Sequence, residues 1–92
     1  MCKHTVLELS VNNHPGVMSH ICGLFARRAY NVEGIACMPV NGGKRSTIWL
    51  LVDADSRLDQ MIKQVDKLED VLGVERHDHG HEVISKMAEF VQ

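Results

Sequence analysis

The chain has 92 residues and a mass of 10.3 kDa, which makes one domain, because two would each be too small to hold a fold on a core alone. Hydrophobic residues at 45% exclude a disordered chain, aromatics at 4% require an aliphatic core, and a net charge of −2 excludes a basic nucleic-acid footprint. A chain this small buries only roughly 60–65% of its unfolded surface, so self-association is a natural expectation. No apolar run approaches the ~20 residues that span a bilayer. The opening Met1-Cys2-Lys3-His4-Thr5 has no signal-peptide core, and the expected compartment is the cytoplasm, without a membrane partner. The odd cysteine count (Cys2, Cys22, Cys37), with no C-x-x-C pair, points to reduced thiols, two of them acting as small core residues.

Residues 5–11 alternate with period two and read as a strand, with Thr5, Leu7, Leu9 and Val11 on one face and Glu8 and Ser10 on the other. Asn12 to Gly16 breaks it. Pro15 is expected as the first residue of a helix with His14 as its N-cap, because a missing N–H costs nothing there. That helix should run to about Tyr30 with a wide apolar face from Val17 to Ala29, ended by Asn31 in the left-handed conformation. Val32 to Val40 reads as a second strand with Val32, Gly34, Ala36, Met38 and Val40 on one face, and Asn41-Gly42-Gly43-Lys44 as a hairpin turn. Residues 46–52 are nearly continuously apolar and suggest a strand covered on both faces.

Ser56-Arg57-Leu58-Asp59 fits a capping box opening a helix whose stripe is Leu58, Met61, Ile62, Val65 and Leu68. A strand around 72–77 follows. Residues 79–92 read as a tail with a short amphipathic helix, its stripe Val83, Ile84, Met87 and Phe90. The order strand, helix, strand, strand, helix, strand is the α+β, ferredoxin-like βαββαβ unit over residues 1–78, an antiparallel sheet with both helices on one face.

Catalysis has little support. There is no Ser-His-Asp order, Walker loop or H-E-x-x-H, and Ser19 and His20, adjacent on a helix, point apart. The His77-Asp78-His79-Gly80-His81 run could chelate a divalent ion, but no cysteine or glutamate is placed in sequence to complete a tetrahedral site, and the plainer reading is a polar linker without metal. The stretch Asn13-His14-Pro15-Gly16-Val17-Met18 says more. A poorly capped helix start leaves the N–H groups of Gly16, Val17 and Met18 free for a carboxylate, Gly16 allows close approach, and Asn13 offers an amide oxygen to an ammonium group. That describes an amino acid ligand. Equally, Asn13 could cap its own helix and Gly16 merely shape the turn. An Asp at Gly16 is expected to occupy the ligand's place while sparing the fold.

The Asn-x-Pro-Gly-Val-Met junction in a βαββαβ unit resembles an ACT domain. The longer runs Gly23-Leu24-Phe25-Ala26-Arg27-Arg28-Ala29-Tyr30-Asn31-Val32-Glu33-Gly34-Ile35, Ile48-Trp49-Leu50-Leu51-Val52 and Asp66-Lys67-Leu68-Glu69-Asp70-Val71 are similar to the small regulatory subunits of acetohydroxyacid synthase, in their short, ACT-only bacterial type similar to that of isozyme I. The resemblance implies a non-catalytic subunit without a cofactor of its own. Its partner would be a catalytic large subunit that uses thiamine diphosphate, Mg²⁺ and FAD, and it would confer feedback inhibition by valine. It also implies a homodimer in which the Asn13–Met18 loop of one protomer, comprising Asn13, His14, Pro15, Gly16, Val17 and Met18, faces Asn31 and Val32 of the other. There Gly16, Val17 and Met18 would hold the carboxylate, Asn13 and Asn31 the ammonium, and Val32 or Val17 the side chain. The alternatives are a free-standing ACT amino-acid sensor acting on another protein, and a small metal-binding interaction protein built on the histidine run.

Overall fold

The computed structural model describes residues 4–13 and 15–77. Along the chain lie β1 (His4–Asn12), α1 (Val17–Arg27), β2 (Val32–Val40), a 3₁₀ turn (Asn41–Gly43), β3 (Arg45–Asp53), α2 (Leu58–Asp66) and β4 (Val71–His77). The four strands form one sheet in the order β2-β3-β1-β4, with every neighbouring pair antiparallel. This is the expected ferredoxin-like arrangement. The tail 79–92 and its apolar stripe lie outside the described residues.

Period-two patterning sets the core. Leu7, Leu9 and Val11 of β1 and Ile48, Leu50 and Val52 of β3 project from one face and are buried against Val17, Ile21, Leu24 and Phe25 of α1 and Leu58, Met61 and Val65 of α2. The opposite, outer face of β3 carries Thr47, Trp49 and Leu51, each half-buried. β3 is thus fully buried on one side only.

α1 starts and stops within two left-handed residues. Its N-cap is Gly16, at φ 92°, and the Gly16 carbonyl accepts the first helical bond from the His20 N–H at 2.9 Å. Pro15 therefore precedes the helix instead of opening it, because glycine readily takes the left-handed turn that re-aims the chain. At the other end Ala29, at φ 52°, is left-handed, two residues before Asn31. The Tyr30 N–H donates to the Phe25 carbonyl at 2.9 Å and the Ala29 N–H to the Ala26 carbonyl at 3.0 Å, the paired bonds of a Schellman ending. The hydrophobic contact that accompanies such an ending is present as well. Phe25 and Tyr30 meet edge to face with ring centroids 5.9 Å apart.

Tyr30 then ties three elements together. Its hydroxyl donates to the Asp53 carbonyl at the end of β3, and the Arg57 guanidinium lies 4.8 Å over its ring just before α2. The capping box does not form. Asp55 accepts the Arg57 N–H at 2.8 Å on its carboxylate and the Leu58 N–H at 3.1 Å on its carbonyl, which displaces Ser56 from the role. Those contacts with the Arg57 backbone and side chain hold the Asp55 carboxyl below its ordinary value. Asp59 instead pairs with Arg76 of β4 at 3.0 Å.

β2 departs from simple alternation. The pairing with β3 shifts between Val32 and Gly34, so Glu33 sits in a bulge. Val32 faces the helices, but beyond the bulge Ile35 and Cys37 take that side while Gly34, Ala36 and Met38 face outward. The expected common face of Val32, Gly34, Ala36, Met38 and Val40 is therefore broken. Because β2 is an edge strand that no helix fully covers, Cys37 is exposed and not a core residue, and Ile35 is 42% exposed.

Two stability changes follow. Ala29→Gly removes the cost of an alanine in left-handed backbone and should raise the unfolding free energy by about 0.5–1 kcal/mol in urea melts, net of the extra freedom glycine gives the unfolded chain. Tyr30→Phe should lower it by about 1 kcal/mol. Burial pushes the Tyr30 phenol above its ordinary value. The folded state therefore holds that proton more tightly than the unfolded chain. The stabilisation is whole below about pH 10 and fades as pH rises through the folded value, so Tyr30→Phe should flatten the alkaline limb of stability against pH.

Candidate functional site

The expected ligand loop is anchored where β1 ends. The Asn12 N–H donates to the Asp70 carbonyl at 2.8 Å and the Asn13 N–H to the Lys44 carbonyl at 3.1 Å. The Asn13 side-chain amide reaches across to the β2–β3 turn, its Nδ2 donating to the Gly43 carbonyl at 2.7 Å. Asn13 therefore does not cap α1. With its NH₂ group held by Gly43, the amide oxygen is the atom it can offer to a donor.

Past Asn13 the chain turns through Gly16 into α1. No side chain caps this helix start, and no acidic residue lies in its first turn. The N–H groups that open an α-helix have no partner within it, and the aligned backbone dipoles leave partial positive charge there. The positions at issue are Val17 and Met18, together with Ser19. Val17 is buried in the core and Met18 half-buried, so the helix start is fixed by packing. A Cβ placed on Gly16 would meet nothing within 4 Å, so the space beside the loop is open. The backbone there is nonetheless left-handed. A side chain at Gly16 is therefore strained, and an Asp substitution costs fold stability where the sequence suggested it would be free. His14 lies outside the described residues.

Asn31 and Val32 sit at the other end of α1. They line a groove of about 460 Å³ with Cys22, Phe25, Ala26 and Tyr30. The 11 residues of α1 rise about 16 Å. One protomer therefore does not bring Asn13–Met18 together with Asn31 and Val32.

A second set of side chains gathers on the outer sheet face. Glu8 of β1 lies directly opposite Glu75 of β4. His77 Nε2 is 3.2 Å from a Glu8 carboxylate oxygen and 3.7 Å from one of Glu75, and Trp49 Nε1 donates to Glu8 at 3.3 Å. Strand pairing thus brings Glu8 to a glutamate and a histidine that lie two residues apart on β4. Glu75 and His77 share a face by their spacing, but Glu8 joins them only through a register that a single sequence does not reveal. None of the described helices is long and apolar enough to cross a membrane.

Comparison with known proteins agrees with this architecture. Residues 7–73 match the AHAS small subunit-like ACT domain. The chain is 57% identical over 97% of its length to the acetolactate synthase isozyme 1 small subunit of Escherichia coli K12, covering 93% of that protein. It is 35% identical over 94% of its length to the acetolactate synthase small subunit of Mycobacterium bovis, of which it spans 52%. The crystal structure of the acetolactate synthase small subunit from Thermotoga maritima superposes with a TM-score of 0.75 at 31% identity, over 86% of this chain and 50% of that one. With its βαββαβ topology and the Asn13–Met18 junction between β1 and α1, the chain belongs to the ACT-domain family of acetohydroxyacid synthase small subunits.

Proposed function

We propose that this chain is the regulatory, non-catalytic small subunit of an acetohydroxyacid synthase. It raises the activity of a cytoplasmic large subunit that carries thiamine diphosphate, Mg²⁺ and FAD, and it confers feedback inhibition by valine. The observation that carries this reading is the 57% identity to the E. coli small subunit, over 97% of this chain and 93% of that one. The effector assignment draws support from the uncapped, acid-free start of α1, which suits a carboxylate, and from the oriented amide of Asn13, which suits an ammonium group.

The site is completed by a second copy. β2 is a sheet edge, and beside it Ile35, Ala26 and Ala29 are exposed on the side where the helices lie. Two protomers joined along β2 with their α1 helices antiparallel would set the start of one α1 against the end of the other. Asn13, Gly16, Val17 and Met18 of one chain would then face Asn31 and Val32 of its partner, with Pro15 in the loop between them.

Calorimetry with valine tests the anion site through a matched pair. Gly16→Asn and Gly16→Asp carry side chains of similar shape in the same left-handed backbone, so the strain is shared and only Asp adds negative charge. Gly16→Asp should bind valine at least tenfold more weakly than Gly16→Asn. Equal affinities would place the effector elsewhere. Separately, Ile35→Lys should shift sedimentation from dimer to monomer at micromolar concentration with the circular dichroism unchanged. A dimer of unaltered strength would remove the β2 edge from the interface.

A further inference from the structure

We propose that Glu8, Glu75 and His77 form a divalent-cation site on the outer face of the sheet, of the Zn²⁺ class. The donor atoms of the three side chains all lie within 4.8 Å of one another. Zn²⁺ binds nitrogen and carboxylate oxygen at about 2.0–2.2 Å, so neighbouring ligands in a tetrahedral shell stand about 3.3–3.6 Å apart. The separations of 3.2 Å and 3.7 Å between His77 Nε2 and the two carboxylates already bracket that spacing. Small side-chain rotations complete it without moving the backbone.

The strands make the arrangement rigid. Glu8 and Glu75 are cross-strand partners, and His77 follows two residues later on the same face of β4. Two carboxylates directly opposite in a ladder repel, and a cation between them turns that cost into binding energy. One imidazole with two carboxylates is a borderline donor set that favours Zn²⁺ over Ca²⁺ or Mg²⁺, which take oxygen shells. Trp49 Nε1 donates to Glu8 Oε1, the oxygen that His77 also approaches, and so orients that carboxylate as hydrogen-bond partners of metal ligands do. The site is reachable from solvent, Glu75 being 72% exposed and Glu8 and His77 about a third. Three protein donors leave the fourth position of a tetrahedral shell to solvent.

The test uses the full chain after chelation and dialysis, titrated with ZnCl₂ by calorimetry while the emission of Trp49, the single tryptophan, is followed. One Zn²⁺ per chain should bind at micromolar or lower concentration, with the Trp49 signal saturating in step. Glu75→Gln, at an exposed position, and His77→Gln should each weaken binding at least tenfold with the circular dichroism unchanged. A double variant His79→Ala/His81→Ala should retain more binding than Glu75→Gln. The proposal is overturned by Glu75→Gln protein that binds Zn²⁺ like the parent, by loss of binding only in the double variant, by binding without a Trp49 response, or by no binding in the micromolar range.

Discussion

Helix α1 is held between two turns of opposite purpose, both made with left-handed backbone. At Gly16 the turn aims the chain over the sheet, and at Ala29 it returns the chain to β2. Everything between them follows from that confinement. The helix has three turns, its four core residues fall on the stripe that meets β1 and β3, and its uncapped start follows closely on the end of β1. The two turns are not equally comfortable. Glycine accepts its conformation with little strain, whereas alanine does not, and the second turn is secured from outside by the Phe25–Tyr30 contact, the Tyr30 hydroxyl on Asp53 and the Arg57 guanidinium above the ring.

That confinement also separates what the proposed function needs together. A ligand pocket built from both ends of a helix about 16 Å long cannot close within one chain of this size. The sheet supplies the means of closing it. Two helices cannot blanket four strands evenly, and the strand left bare is β2, the one that follows α1. An amino acid bound between copies would then report on assembly as well as on concentration, which suits a subunit whose task is to alter the state of another protein.

Much of this was legible in the residues, and the failures share a cause. The alternation in β1, the apolar run of β3 and the stripe of α2 give strands and helix within a residue or two, although the apolar run does not reveal that β3 is fully buried on one face only. The start of α1 was misplaced because Pro15 is a strong helix-opening signal and nothing local says that Gly16 will turn left-handed first. Ser56 lost its capping role to Asp55, one residue earlier and able to bind both the backbone and the side chain of Arg57. The face of β2 was misjudged because a bulge at Glu33 reverses alternation and leaves no mark in hydrophobicity. The Glu8–Glu75–His77 cluster lay beyond reading, since it exists only in the β1–β4 register. Helix-end chemistry points to Asn13, Gly16, Val17 and Met18, whereas Asn31 and Val32, and the division of the proposed site between two chains, rest on family resemblance and not on any pattern in one strand or helix.

The bond from Asn13 to the Gly43 carbonyl gives the β2–β3 turn a part in a region far from it in sequence. Hairpin tips usually tolerate insertions and changes of length because they bear on nothing else. Here the tip is clasped at a left-handed glycine, with Lys44 held by the Asn13 backbone as well. The turn and the proposed ligand loop are therefore one mechanical unit. Lengthening the hairpin would loosen the grip on Asn13, and a ligand gripping Asn13 would stiffen the hairpin in return. A feature that looks like a simple reversal of the chain is better understood as the far wall of the loop that opens α1.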